Sequence, residues 1–271
     1  MAPADHDIVL RWTPAGLQDA AGAAAGALLV ADSWLVDGGA VRALDEHWAR
    51  FGDSCRAHGV DAGQLARFRA AVAAAVPAAG RWFPRVELTA QGLGLRLRRA
   101  PPPSRKARVA VAPAGDPRTC PRRKGPDLEL LIDLRARARA AGADELLLCD
   151  DAGALREGAL SSLLWWEGGT LCTTPDEHTL PGVTRGLLLA LARERGMQVC
   201  MRSPRPQELA GREVWLTSAL HGIRVVSEWL APAQAAGPSA RAVTWRAQLE
   251  RRGGTVLGCG RRSTHRQDGA A

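Results

Sequence analysis

Apolar residues recur at helical spacing over residues 41–59 (VRALDEHWARFGDSCRAHG) and 62–76 (AGQLARFRAAVAAAV), which predicts two helices in the first part of the chain. Shorter runs at 82–90 (WFPRVELTA) and 93–99 (LGLRLRR) read as strands. Proline and arginine then cluster over residues 98–126, a composition that disfavours both helix and central strand. Beyond it the alternation sharpens. Residues 127–142 (DLELLIDLRARARAAG) form an amphipathic pattern with Asp127 placed to cap the start and Gly142 to end it. ELLLCD (145–150) reads as a buried strand, DAG as a tight turn, and LREGALSSLLWWEGG (155–169) as a further strand or hairpin. TLCTTP (170–175) is another short strand, and a helix starts after Pro181 and Gly182 and stops at Gly196. A strand MQVCMR, a short helix PQELAG and the strands EVWLTSAL and IRVVSEW follow.

These elements predict an α/β (α+β) chain in two unequal parts. Residues 1–100 form a small N-terminal α/β domain, 101–121 a linker, 122–250 a larger strand-rich domain, and 251–271 a polar, disordered tail.

Composition narrows the function classes. Hydrophobic residues make up 46% and charged residues 24%, ordinary for a soluble globular protein, and no apolar run approaches the roughly 20 residues that span a bilayer. The apolar stretch at 20–36 follows acidic residues and lacks a basic start, so it does not read as a signal peptide. Six scattered cysteines without a CxxC pair argue against zinc and a disulfide framework, and for reduced thiols in the cytoplasm. A net charge of +8 invites a nucleic-acid reading, but tyrosine is absent and phenylalanine occurs three times, which leaves few stacking platforms. The charge reads instead as an Ala/Arg-rich habit.

That habit makes one residue conspicuous. Only Lys106 and Lys124 break an otherwise all-arginine basic set. Arginine holds charge and grips phosphate as well as lysine, but its guanidinium does not deprotonate and cannot act as an amine nucleophile. Lys124 is therefore a candidate for amine chemistry. LPGVTR (180–185) opens a helix, where unpaired amides, Gly182 and the Thr184 hydroxyl make a plausible anion cradle. Each remaining feature has a plainer reading alone: Glu157 as a carboxylate paired with a neighbouring arginine, Thr217 and Ser218 as turn residues, Arg50 as part of a solvated helix face, and LPGVTR itself as an ordinary helix start.

Their order carries more. A lysine, a carboxylate after a strand, Gly-Val-Thr-Arg at a helix start and a strand ending in Ser-Ala-Leu resemble the fold-type IV pyridoxal-phosphate enzymes, the class IV aminotransferase family, over roughly Lys124 to Val226. LDEHWARF adds a weaker echo. The resemblance implies that Lys124 forms a Schiff base with the aldehyde of pyridoxal 5'-phosphate and then moves protons. Glu157 would face the pyridine nitrogen. Arg50, Val183, Thr184, Ser218 and Ala219 would hold the phosphate. A homodimer with sites near the subunit interface and a small-molecule substrate are implied as well, while composition and hydropathy point to no nucleic-acid or membrane partner.

Glu157 lies 33 positions after Lys124, a spacing that with Ser218–Leu220 resembles the aminodeoxychorismate lyases more than the branched-chain enzymes. Asp127 stands where those lyases carry asparagine, and the family's glycine-rich motif of the first domain is not recognisable at 26–39. The leading expectation is a lyase that converts 4-amino-4-deoxychorismate into 4-aminobenzoate and pyruvate in folate biosynthesis, with Arg96, Arg98 and Arg99 available to the substrate carboxylates. A class IV aminotransferase of the branched-chain or D-amino-acid type is the alternative, and a non-catalytic binding relative a third. No GxSxG or HExxH supports a hydrolase, and GLGLRL does not satisfy a dinucleotide fingerprint.

Overall fold

A computed structural model describes residues 7–22, 26–113, 115–252 and 254–256. Its first part contains β1 (Ile8–Thr13), β2 (Gly16–Asp19), β3 (Leu28–Ser33), β4 (Val36–Asp37), β5 (Ala40–Val41), α1 (Leu44–Arg56), α2 (Ala62–Ala75), β6 (Arg81–Trp82), β7 (Arg85–Thr89) and β8 (Gly92–Leu97). Five of these strands pair antiparallel in the order β2-β1-β8-β7-β3. The helical spacing on α1 delivers Leu44, His47, Trp48, Phe51 and Cys55 to one buried face. Phe68 of α2 meets Trp48, Phe51 and Trp12, and Val30, Val86, Leu93 and Leu95 close this core from the sheet side. The side chain of Asp61 accepts the N–H of Gln64 at 2.8 Å and caps α2.

The second part contains β9 (Lys106–Val111), α3 (Leu128–Ala140), β10 (Glu145–Cys149), β11 (Leu155–Gly158), β12 (Ser162–Glu167), β13 (Thr170–Thr173), α4 (Val183–Glu194), β14 (Val199–Met201), β15 (Val214–Ser218), β16 (Gly222–Ala231), β17 (Ala233–Gln234), α5 (Ala240–Arg251) and β18 (Thr255–Val256). The large sheet runs β11-β10-β9-β16-β15-β12-β13-β14, with β17 added to β16. One side of it is filled by Leu147, Leu163, Trp165, Leu216 and Trp229. On the other, α4 and α5 cover Trp166 and Trp215, which meet Trp245 edge-on with ring centroids 5.3–5.6 Å apart. Such ring pairs add about 0.5–1.5 kcal/mol each beyond their area burial.

Two expectations change. Residues 101–121 are more than a linker, because β9 lies inside them and pairs parallel with both β10 and β16 in the middle of the sheet. The alternation of buried Ala107 and Val109 with exposed Lys106 and Arg108 is the strand signal, and the flanking prolines mask it in the sequence. Asp127 precedes α3 but does not cap it with its side chain. Its carboxylate accepts instead from the N–H and Oγ1 of Thr119 at 3.1 and 2.9 Å and from the N–H of Cys120 at 2.9 Å, which folds the loop before Lys124 back on itself. At the other end, α5 reaches Arg251 and β18 pairs with β5. The rest of the expected tail, 257–271, lies outside the described residues. No helix among the described residues is long and apolar enough to cross a membrane.

Candidate active site

Between the two sheets lies a cavity of about 430 Å³, and most of the residues singled out from the sequence line it: Lys124, Glu157, Arg50, Val183, Thr184, Ser218, Ala219, Arg98 and Arg99. Arg96 does not. Its guanidinium turns to Glu87, which Arg85 on the neighbouring strand also meets. Arg98 and Arg99 lie beyond the end of β8 at Leu97, whereas Arg96 is still in the strand and is held by Glu87.

Lys124 is set by its backbone. Its carbonyl accepts the N–H of Ala31 on β3 at 2.7 Å. Gly125 has a φ of 149°, and a Cβ there would fall 2.7 Å from the Cα of Val30, so only glycine lets the chain lie this flat against β3. Burial lowers the Lys124 amine from 10.5 to about 8; Asp32 opposes the shift while Arg50, Arg98 and Arg85 reinforce it. Near neutral pH the amine therefore has a usable free-base fraction.

Asp32 sits on β3 with no exposed surface. It accepts from the backbone N–H of Ser33 (2.7 Å), from His47 Nδ1 (2.8 Å) and from Arg50 Nε and Nη2 (2.8 Å each). Burial alone would raise its carboxyl, but Arg50, His47 and Lys124 outweigh burial and hold it well below the usual carboxylate range. Burial lowers His47, against the pull of Asp32. Arg50 is thus fixed as a fork on Asp32, and its Nη1 donates to the carbonyl of Pro181 at 3.0 Å, beside the start of α4.

That start is open. No side chain caps α4, no acid lies in its first turn, and its first helical bond runs from the N–H of Gly186 to the carbonyl of Gly182. The amides ahead of Gly186 therefore lack intrahelical acceptors and attract anions. A Cβ on Gly182 would fall 2.4 Å from Ser162 Oγ, so a side chain here would displace that hydroxyl. From the facing turn, Ser218 and Ala219 reach the same cavity, and the buried Thr217 Oγ1 has no partner among the described residues. A second cavity of about 580 Å³ shares Val183, Thr184 and Ala219 as its wall.

Glu157 is the last residue but one of β11 and is buried. Arg118 Nη1 donates to its Oε1 at 2.5 Å, and the N–H of Leu180 donates to the same oxygen at 2.8 Å. Burial pushes this carboxyl up from 4.5 to about 7, with Arg118 and Leu180 pulling it back. The neighbouring Arg156, the partner expected from sequence, pairs with Asp150 instead. Asp32, His47 and Arg118 escaped the sequence reading. An acid and a histidine inside apolar runs were the available signal for the first two, whereas Arg118 is one arginine in a loop full of them.

The class IV aminotransferase model matches residues 29–229. No curated protein matches the chain. Among solved structures, a branched-chain aminotransferase from Thermoproteus uzoniensis is 20% identical with a TM-score of 0.72, over 90% of this chain and 95% of that one. A provisionally named 4-amino-4-deoxychorismate lyase is 25% identical with a TM-score of 0.68, over 83% and 90%. Another of that provisional name, from Legionella pneumophila, is 18% identical with a TM-score of 0.66, over 82% and 91%. The family's cofactor, pyridoxal 5'-phosphate, requires an amine, a carboxylate for its ring nitrogen and a cradle for its phosphate, and the cavity supplies all three chemistries at once. The chain belongs to the class IV aminotransferase family, with the fold-type IV architecture, and is a pyridoxal-phosphate-dependent enzyme.

Proposed function

We propose that the enzyme is a lyase that converts 4-amino-4-deoxychorismate into 4-aminobenzoate and pyruvate. One observation carries this reading: Arg98 and Arg99 reach the cavity of Lys124 without a carboxylate partner among the described residues. Arg98 donates to the carbonyl of Phe83 and stacks on its ring, and Arg99 lies 3.9 Å over the Trp82 ring. Burial lowers Arg98, so an incoming carboxylate restores what the site withholds. A substrate with two carboxylates matches two such cations.

Lys124 would hold the cofactor, Glu157 would face its ring nitrogen, and the α4 start with Thr184, Ser218, Ala219 and Arg50 would hold its phosphate. When bound, the cofactor supplies an aldehyde for the substrate amine and a ring that accepts electron density. Lys124 Nζ then takes the proton from the amine-bearing carbon. Departure of the enolpyruvyl oxygen makes the substrate ring aromatic, and a proton delivered to the enolpyruvate methylene carbon gives pyruvate. Aromatisation drives the reaction, so the protein chiefly orients the substrate and moves protons.

The deciding assay offers purified enzyme 4-amino-4-deoxychorismate, and separately branched-chain and D-amino acids with an oxo-acid acceptor. Release of 4-aminobenzoate and pyruvate supports the lyase. Oxo-acid formation with accumulation of the pyridoxamine form of the cofactor would establish the aminotransferase instead. The same reading includes a homodimer in the cytoplasm. Exposed Leu130 and Ile132 on α3, with Ile132 at the cavity rim, support a covered face, and light scattering tests it.

A further inference from the structure

Arg118 is a buried cation with no part in the scheme above. Its side chain is 4% exposed, as is that of Glu157. Its fork meets Asp116 through Nε at 2.8 Å and Nη2 at 2.6 Å, Nη2 also donates to the carbonyl of His178 at 2.9 Å, and Nη1 is left for Glu157. Asp116 and His178 thus fix the guanidinium in plane, and the fourth direction is spent on one carboxylate oxygen. Both described bonds to Glu157 fall on Oε1, so Oε2 stays clear of Arg118 and Leu180 at the cavity wall.

We propose that Arg118 is a positioning residue for Glu157: braced by Asp116, it favours the anionic form of Glu157 and turns one carboxylate oxygen toward the ring nitrogen of the cofactor. This rests on the reading that Glu157 meets that nitrogen. The charge logic is local. A buried carboxylate without a counter-charge takes up a proton, and a neutral Glu157 could not hold a pyridinium. Arg185 on α4 also acts on Glu157, but its guanidinium is committed to Asp176, Thr179 and the carbonyl of Thr174. Arg118 is the cation in direct contact. Burial would lower Arg118, yet Asp116 and Glu157 together raise it above its ordinary value, so the guanidinium stays charged beside a carboxyl that burial pushes upward.

Asp116 provides the discriminating test, because it competes for the same charge. In cofactor-free protein with carbon-13-labelled glutamate, the Glu157 carboxyl signal is assigned by its loss in Glu157→Gln and followed against pH. Arg118→Met is expected to raise the Glu157 midpoint by about 1 pH unit or more, and Arg118→Lys to recover part of that shift. Asp116→Asn, which leaves the arginine charge unopposed, is expected to lower the midpoint. Loosened packing alone would move Met and Asn variants the same way, and that result, or no movement in either, overturns the proposal. In loaded protein, nitrogen-15-labelled cofactor should report a protonated ring in wild type and loss of that proton in Arg118→Met. A protein that takes up no cofactor yet shows both opposite shifts keeps the Arg118–Glu157 assignment and overturns the cofactor reading alone.

Discussion

Lys124 couples two requirements that pull against each other, an amine that must be free and a position among arginines that burial makes costly to charge. Its depressed value of about 8 predicts how fast cofactor-free protein takes up pyridoxal phosphate. The rate of attachment should rise about tenfold per pH unit below that value and level off above it, since only the free base attacks. Stopped-flow absorbance at constant ionic strength measures this, and a flat profile from pH 6 to 9 would contradict it. Lys124→Ala should abolish turnover, borohydride reduction should then label no peptide, and circular dichroism should remain that of wild type. Glu157→Ala should still bind cofactor, because the phosphate cradle is untouched, but should lose about 10²-fold or more in kcat.

At the scale of elements, β3 supports the site twice, through the Ala31 bond to Lys124 and through Asp32. Asp32→Asn leaves the half-buried Arg50 without its counter-ion and the buried His47 without its acceptor, and removal of one partner of a buried pair costs about 3–5 kcal/mol. Because the folded Asp32 carboxyl lies below its unfolded value of 3.8, its stabilisation is complete above that value and disappears as pH falls through the folded one. Thermal melts of wild type and variant should therefore differ near neutral pH and converge in strong acid. Much at this scale was legible in the sequence. The helices at α1 and α4 and the strands β11 and β12 follow from periodicity and Gly-Pro punctuation, although the two strands pair with other neighbours and form no hairpin. The order from Lys124 through Glu157 to the start of α4 takes its meaning from the family resemblance. β9 was not legible, because Ala107 and Val109 are too few to outweigh the prolines beside them. The misplaced Arg96 and the caps assigned to Asp127 have a different cause: pairing across 7 to 9 residues, as between Arg96 and Glu87 or Thr119 and Asp127, depends on how the chain turns.

Across the whole molecule, basic residues are unevenly used. Arg85, Arg98, Arg99, Arg123 and Arg135 line the cavity with Lys124, whereas Asp127, Glu145 and Glu157 are its acids. Clefts of one sign concentrate ligands of the other, and salt weakens that attraction. The KM for a dicarboxylate substrate should accordingly rise several-fold between about 0.05 and 0.5 M salt, with kcat little changed. Initial rates in sodium chloride test this, and a KM independent of salt would assign the arginines to structure. The larger core is insensitive to such screening; its three packed tryptophans predict that Trp215→Ala costs about 3–5 kcal/mol, read as a fall in denaturation midpoint.

The backbone bond between Lys124 and Ala31 has a mechanical meaning. The lysine is bonded through its carbonyl to β3 of the smaller sheet, while Glu157 is carried by β11 of the larger one. The two chemical poles of the cavity are thus mounted on separate supports. How the two sheets pack against each other therefore also sets the distance between amine and carboxylate.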